Sequence, residues 1–190
     1  MTQIVLQGDY DIDPDHTAVY IEARHAMVTK IRGVFDDWEG TFSVGENLHD
    51  LKLTATVRAS SINTGVPPRD VHLRSADFLD VREYPEITFE STNAWLDDEL
   101  HGKVEGTLTL KGIARHEVFT LTLGGADIDP FGKYRVGFEA RTEINRRDYD
   151  VMFQTVLESG GVLVSDNVTI VIDGSIVYRD PEPESGAGEF

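Results

Sequence analysis

Cysteine is absent from this 190-residue chain. Without thiols there can be no disulfide framework, no thiolate nucleophile and no zinc site built on cysteine. Cations are also scarce, because 17 lysines and arginines stand against 34 aspartates and glutamates, which gives a formal net charge of -17. A field of that sign repels phosphate backbones, so the composition excludes nucleic acid as a partner.

Long apolar runs are missing as well. No stretch approaches the roughly 20 consecutive apolar residues that a transmembrane helix needs. The segment from Met1 to Tyr10 lacks both the basic region and the apolar core of a secretory signal. We therefore expect a cytoplasmic protein with no transmembrane segment, although an exported form whose leader had been removed would have the same sequence.

Established catalytic motifs are the third absence. The sequence contains no G-x-S-x-G, G-x-x-x-x-G-K-[ST], H-E-x-x-H or G-x-G-x-x-G. Its histidines are scattered and lack the spacing of metal ligands, so the sequence predicts neither a metal site nor an enzyme. These histidines are His16, His25, His49, His72, His101 and His116.

What the chain does contain is an alternation of apolar and polar residues with a period of two. From Val19 to Ala23 the odd-numbered residues are apolar, and from Val136 to Ile144 most even-numbered residues are. Successive side chains of a strand point to opposite faces, so we predict strands whose odd face in the first segment and even face in the second point inward. Further strands are predicted around residues 51–57, 87–92, 100–110, 118–123 and 168–177.

Two segments interrupt this alternation. The apolar phase shifts at Asp36 and Asp37, which predicts a β-bulge. The stretch after Pro67-Pro68 has no alternation and contains good helix formers, which predicts a short helix around residues 69–80.

The overall pattern of many short strands joined by Gly-, Asp- and Pro-containing turns is typical of an antiparallel sandwich or barrel. Residues 1–180 are expected to form a single domain. Residues 181–190, rich in Pro, Glu and Gly, are predicted to be a disordered tail. The charged run Asn145–Tyr149 at the end of a predicted strand indicates a corner that fixes a loop.

Two polar features are candidate functional groups. His25 continues the apolar face that begins at Val19, so it is expected to point inward, either as a satisfied core histidine or as a polar contact at a pocket mouth. Arg69, Asp70 and His72 lie in or next to the predicted helix. They either cap that helix and form ion pairs or contact a ligand directly.

Several short motifs occur in a highly specific order, although each alone is weak. They are Tyr10-Asp11-Ile12-Asp13, Asp15-His16-Thr17, Arg24-His25, Gly33 with Phe35, Ser60-Ser61-Ile62-Asn63-Thr64-Gly65, Arg69-Asp70, His72-Leu73-Arg74-Ser75, Asp77-Phe78-Leu79-Asp80-Val81, Tyr84-Pro85-Glu86-Ile87-Thr88-Phe89-Glu90-Ser91, Gly106-Thr107-Leu108-Thr109-Leu110-Lys111-Gly112 and Ile144-Asn145-Arg146-Arg147-Asp148-Tyr149. With these motifs, the chain resembles the YceI-like family of polyisoprenoid-binding, lipocalin-like barrel proteins from Tyr10 to about Val177.

The resemblance implies an all-β fold, an eight-stranded antiparallel lipocalin-like barrel with a short helix between strands. It further implies a binding or carrier protein whose apolar interior holds a polyisoprenoid, such as an isoprenoid quinone, or a fatty-acyl amphiphile, with no other cofactor. Thr17 stands where the family usually has serine, and Asp150 where it usually has glycine, which puts the backbone of that loop in question. The expected ligand-binding residues are Val19, Ile21, His25, Phe35, Phe42, Leu53, Phe78, Phe89, Leu108 and Phe138.

Other functions stay open at this point. An enzyme acting on an isoprenoid or lipid inside the barrel would use His25, or the cluster of Arg69, Asp70 and His72, for acid–base chemistry. A haem-binding barrel would use a histidine as the iron ligand. The sequence also leaves a homodimer open.

Overall fold

The computed structural model describes residue 4 and residues 6–156 and 163–179. In this part of the chain the regular structure is almost entirely β, with one short α-helix, α1 (Pro67–Arg74). The tail predicted at 181–190 lies outside the described residues. The strands are β1 (Gly8–Ile12), β2 (Ala18–His25), β3 (Thr29–Phe35), β4 (Trp38–Val44), β5 (Lys52–Arg58), β6 (Ile62–Asn63), β7 (Glu86–Leu96), β8 (His101–Leu110), β9 (Ile113–Ile128), β10 (Tyr134–Asn145) and β11 (Asn167–Tyr178).

These strands form an antiparallel sheet that closes on itself. Strand β11 pairs with β10 on one side and with both β1 and β2 on the other. Strands β1 and β2 therefore act as one barrel strand with an interruption, and the same is true of β3 with β4 and of β5 with β6. The predicted eight-stranded antiparallel barrel is confirmed.

The first interruption absorbs a change of register. Val19 of β2 faces Phe35 of β3, whereas Tyr10 of β1 faces Phe42 of β4. A step of nine residues, from 10 to 19, thus lies opposite a step of seven, from 35 to 42. The turn Pro14–His16 takes up the two extra residues.

The phase shift predicted at Asp36 and Asp37 marks the interruption of the neighbouring barrel strand. The structure differs from a simple bulge, because β3 ends at Phe35 and β4 begins after these two aspartates. On the next barrel strand, the turn Ala59–Ser61 separates β5 from β6. We call Pro14–His16, Asp36–Asp37 and Ala59–Ser61 together the row of turns, since they lie side by side across three adjacent barrel strands.

An ion-pair network fastens the first of these turns to the rest of the barrel. Arg135 of β10 donates to the carboxylate of Asp13 and, over 2.7 Å, to the hydroxyl of Ser175 in β11. Burial alone would raise the pKa of the Asp13 carboxyl, but hydrogen bonds from Arg135, His16 and the Asp15 amide outweigh it and lower this pKa to about 2. The ionised form of Asp13 therefore stabilises the fold.

We expect Asp13→Asn to lower the free energy of unfolding at pH 7 by about 1–2 kcal/mol, a figure reduced for partial solvent screening. The pKa of Asp13 falls from an ordinary value of 3.8 to about 2 on folding. Its contribution is therefore present above pH 4 and disappears as the pH falls towards 2. Urea denaturation across this pH range measures the effect. Asp15→Asn, at an exposed site in the same turn, is the control, and an equal loss in both variants would contradict the assignment.

The faces predicted from the alternation are confirmed. Val19, Ile21 and Ala23 of β2 point into the barrel, where they line its interior cavity. Val136 of β10 is fully buried, and Ile144 at the other end of that strand lines the cavity. Period-two patterning thus places the core on the inner surface of the closed sheet.

The helix begins earlier and ends earlier than the predicted range 69–80. Pro67 is its first residue, where the missing amide hydrogen costs nothing. It ends after Arg74 because Ser75 leaves the helical conformation and its hydroxyl donates back to the His72 carbonyl over 2.7 Å. Asp80 then takes a left-handed backbone conformation, so the residues that follow α1 form turns.

The two ends of the barrel differ in what they carry. Because the strands alternate in direction, α1, the β2–β3 turn, the β8–β9 turn and the segment between β10 and β11 lie together. We call this the helix end. The opposite end carries the turns that join β4 to β5, β7 to β8 and β9 to β10.

A β-bulge bends strand β7 against β8. The pairing between them shifts register between Ser91 and Asn93. At this bend the backbone of β7 closely approaches Gly106 of β8, where an added Cβ would overlap the carbonyl oxygen of Glu90. Only glycine fits there without movement of the strand.

Candidate functional site

A cavity of about 250 Å³ lies inside the barrel. This volume falls just below the roughly 300–1,000 Å³ that is typical of small-molecule pockets. Leu6 and Leu48 line it towards the opposite end, and Leu73 and Val151 towards the helix end. The cavity therefore extends along the barrel axis, as a chain-shaped ligand would require.

The lining brings together nine of the ten residues predicted from the sequence. They come from seven strands and from the segment after α1. The strand residues among them point inward because each lies on the apolar phase of its own strand. The nine are Val19, Ile21, Phe35, Phe42, Leu53, Phe78, Phe89, Leu108 and Phe138. Their contact with a ligand stays a prediction.

His25 is the exception, and its predicted inward orientation is wrong. Its side chain is exposed and does not line the cavity. His25 is the last residue of β2, next to a tight turn in which Ala26 and Met27 have left-handed backbones. His25 therefore lies at the end of the barrel, where side chains no longer contact the core.

The sequence analysis also missed several lining residues. Ile170 and Ile172 share the apolar phase of the predicted strand around 168–177, and Leu121 shares that of 118–123. The alternation could therefore have found all three. Trp38 also lines the cavity. The shift of the apolar phase at Asp36–Asp37 could have shown that Trp38 points inward.

Arg146 is a charged residue in an otherwise mainly apolar lining, and it is 3% exposed. Its Nε donates to the Ser165 carbonyl over 3.0 Å, Nη1 donates to the Val151 carbonyl, and Nη2 contacts a carboxylate oxygen of Asp166 at 3.1 Å. Burial lowers the pKa of the guanidinium, and Asp166 opposes that shift. Arg146 thereby holds both flanks of the segment between β10 and β11 over the helix end.

The neighbouring residues strengthen this corner. Tyr149 is fully buried and donates to Glu117 of β9 over 2.6 Å. Burial and this hydrogen bond raise the pKa of its hydroxyl. Asp150, where the family pattern has glycine, takes the left-handed conformation that glycine favours. Asp150 therefore departs from the family pattern in residue type, but the backbone at this position has the conformation that glycine would adopt.

The polar cluster around α1 lies outside the cavity lining. Asp70 is buried but accepts hydrogen bonds from the Thr64 amide (2.9 Å) and hydroxyl (2.5 Å), so it anchors the loop before the helix instead of capping it. Arg69 donates to the hydroxyl and the carbonyl of the same threonine. His72 bonds Asp77 at 2.8 Å and packs edge-on against aromatic rings. These contacts are structural.

Neither a metal cluster nor a membrane-spanning helix is found among the described residues. Across residues 6–156 and 163–179, no three His, Asp or Glu side chains are arranged to hold a metal ion. Over the same ranges, no helix has the length and apolar character to cross a membrane.

Comparison with known proteins begins from the sequence. A family model described as a YceI-like domain matches residues 10–176, which run from β1 to β11. The UPF0312 proteins SA2479 and SAB2563, from two strains of Staphylococcus aureus, are both 35% identical to this chain over 164 residues. The match covers 84% of this chain and 92% of each relative.

Solved structures with the same barrel include BcnA from Burkholderia cenocepacia, with a TM-score of 0.75 at 19% identity over 89% of this chain and 100% of BcnA. A YCEI protein from Campylobacter jejuni has a TM-score of 0.71 at 26% identity, over 83% of this chain and 90% of its own. A polyisoprenoid binding domain from Saccharophagus degradans gives 0.64 at 15% identity, over 92% and 100%. BcnA and the Saccharophagus domain thus have the same fold as this chain.

Proposed function

Because the chain belongs to the YceI-like family, we propose that it is a binding or carrier protein that holds the apolar chain of a polyisoprenoid or similar long-chain amphiphile inside its barrel. The observation that carries this proposal is the cavity along the barrel axis, lined mainly by aliphatic and aromatic side chains. The polyisoprenoid binding domain of Saccharophagus degradans, which has the same fold, adds support.

The energetics of such a site favour long chains. Each methylene group that leaves water for an apolar cavity contributes about 0.8 kcal/mol. Directional contacts are few, because the buried charge of Arg146 is already bonded to two carbonyls and a carboxylate of the protein, and Glu39, which also lines the cavity, is exposed and lies 3.8 Å from Arg58. Affinity is therefore expected to rise with chain length until the cavity is full.

The placement of the polar candidates favours binding over catalysis. A general acid or base must reach the substrate within hydrogen-bond distance. His25, Arg69, Asp70 and His72, the residues that an enzyme would use, do not line the cavity. We therefore propose no catalytic step inside the barrel.

Two tryptophans allow a direct test. Trp38 lines the cavity, whereas Trp95 does not and lies under the Lys103 ammonium on the sheet, 5.9 Å from ring centre to nitrogen. In Trp95→Phe, where Trp38 is the remaining tryptophan, we expect titration with farnesol to give a saturable change in fluorescence. The change would report contact between the prenyl chain and the indole, which lines the cavity.

Trp38→Phe is the matched control, since it leaves only the reporter outside the cavity. Its emission should stay constant during the same titration. Native mass spectrometry of the unmodified protein with farnesol should show a complex of one chain with one prenol. Constant Trp38 emission together with no such complex would reject the proposed function.

A further inference from the structure

The helix end carries a cluster of exposed apolar side chains. Their exposed fractions range from 51% to 80%. Single exposed aliphatic residues are common on protein surfaces, so it is their grouping at one end that needs explanation. We call this cluster the apolar rim, and it consists of Met27, Val28, Val71, Met152 and Val156.

The segments that carry the apolar rim are joined to one another. The Ala26 amide donates to the Leu163 carbonyl over 2.8 Å, and the Leu163 amide donates to the Thr155 carbonyl over 2.9 Å. The β2–β3 turn and the residues around Val156 therefore lie on either side of the same short stretch. On the other flank, the ring of Phe153 packs against His72 of α1 at 4.7 Å between centroids.

The same segments also line the cavity. Leu73 of α1, Val151 and Val164 have their side chains against the cavity, while their neighbours Val71 and Met152 face solvent. At α1 and at Val151–Met152, one layer of chain therefore separates the apolar rim from the cavity. A chain that entered or left through this layer would pass directly between the rim and the cavity.

Charge distinguishes the helix end from the opposite end. The opposite end also exposes two apolar residues, Ile128 at 67% and Phe131 at 89%. There, however, the β7–β8 and β9–β10 turns carry more acidic than basic side chains, even though Asp129 pairs with Arg135. The acidic residues in or next to these turns are Asp97, Asp98, Glu99, Asp127 and Asp129. Anionic lipid headgroups would be repelled from that end.

At the helix end, cations flank the apolar rim. Arg24 and Lys30 are exposed and directly opposite each other in the β2–β3 ladder, immediately below Met27 and Val28. Lys30 lies 3.6 Å from a carboxylate oxygen of Glu22, and both cations remain exposed to an anionic phosphate outside the barrel. Of the acidic residues nearby, Glu22 and Asp166 are in ion pairs with cations of the protein.

We propose that the apolar rim docks on the surface of a lipid bilayer, with its side chains in the headgroup region and Arg24 and Lys30 against lipid phosphates. This inference rests on the proposed function, because a long apolar chain resides in a bilayer before a binding protein takes it up. A peripheral surface of this kind combines apolar side chains with basic residues at their edge.

Vesicle flotation of the full chain tests the proposal, with vesicles of phosphatidylcholine and phosphatidylglycerol. We expect the double variant Met27→Asp with Val28→Asp to lower the bound fraction about tenfold or more. The matched control is Ile128→Asp with Phe131→Asp, which makes the same change of two exposed apolar residues at the opposite end. The control should bind like the unmodified protein.

A second double variant tests the contribution of Arg24 and Lys30 to vesicle binding. Arg24→Glu with Lys30→Glu should weaken binding to vesicles that contain phosphatidylglycerol and leave binding to pure phosphatidylcholine nearly unchanged. Absence of binding by the unmodified protein, equal losses in the rim and control variants, or a loss only in the control would overturn the proposal.

Farnesol titration without vesicles separates this inference from the proposed function. The rim variants should bind farnesol like the unmodified protein, because no rim residue lines the cavity. Farnesol binding without vesicle binding would reject docking and keep the proposed function. Vesicle binding by the rim without farnesol binding would reject the proposed function alone.

Discussion

Phe138→Asp is expected to abolish prenyl-chain binding, with a loss of affinity of at least about 100-fold. Phe138 lines the cavity and lies between Leu123 of β9 and Gly174 of β11, neither of which can pair with a carboxylate. An ionised group placed there has to give up its hydration when an apolar chain enters. Farnesol titration, followed by Trp38 fluorescence, measures the loss.

The matched control is Thr120→Asp, which adds the same charge to the outer face of neighbouring β9. Thr120 is exposed and stands opposite Arg141, so a carboxylate there remains hydrated and near a cation. Farnesol affinity should change little. Equal affinity losses in Phe138→Asp and Thr120→Asp would contradict binding inside the barrel.

A milder substitution guards against loss of folding. Phe138→Ala is expected to keep the barrel, at a cost of up to about 3–5 kcal/mol in unfolding free energy, and to enlarge the cavity. With geraniol, farnesol and geranylgeraniol as probes, affinity should rise with each prenyl unit until the cavity is full, and the larger cavity should shift the preference towards longer prenols. Affinity that is independent of chain length in both proteins would oppose an internal site.

Gly106→Ala is expected to lower the free energy of unfolding by about 2–3 kcal/mol or more. The new Cβ would overlap the Glu90 carbonyl oxygen and lie 2.8 Å from the Ser91 Cα. Both are backbone atoms of the bent part of β7, so the overlap can be relieved only if the strand moves. Thermal unfolding should show a decrease in Tm of about 5–10 °C.

Gly137→Ala provides the comparison, because it makes the same change in β10, where the nearest atoms to an added Cβ lie 3.9 Å away. The backbone of Gly137 is not in the left-handed region. Its replacement should alter the unfolding free energy by less than about 1 kcal/mol. A similar loss of stability in both variants would contradict the idea that Gly106 is needed for the close approach of β7.

The alternation predicted the strands and their inward faces because both depend on one local rule, whereas the choice of an eight-stranded barrel came from the resemblance to the YceI-like family. Side chains alternate between two faces of a strand, so Val19, Leu108 and Phe138 are placed inward by phase alone. The rule fails at strand ends, where the chain turns away from the core, and His25 is the example. It also says nothing about α1, whose end is fixed by the hydrogen bond from the Ser75 hydroxyl.

Arg146 illustrates a second limit of the sequence. The charged run around it indicated a corner that fixes a loop, and the structure places its guanidinium between the two flanks of that loop. Its burial depends on Val151 and Ser165, which the fold brings together from separate parts of the segment. Local patterning cannot supply contacts of that kind.

The row of turns determines the stagger of the barrel. Alternation repeats every two residues, so a slip of two residues between neighbouring strands would leave every apolar side chain inside. The hydrophobic pattern therefore cannot choose between such registers, whereas Pro14–His16 and Ala59–Ser61 each absorb two residues at one fixed place. Since stagger and diameter are linked in a closed barrel, the width of the chamber is set by a few polar turn residues on its wall.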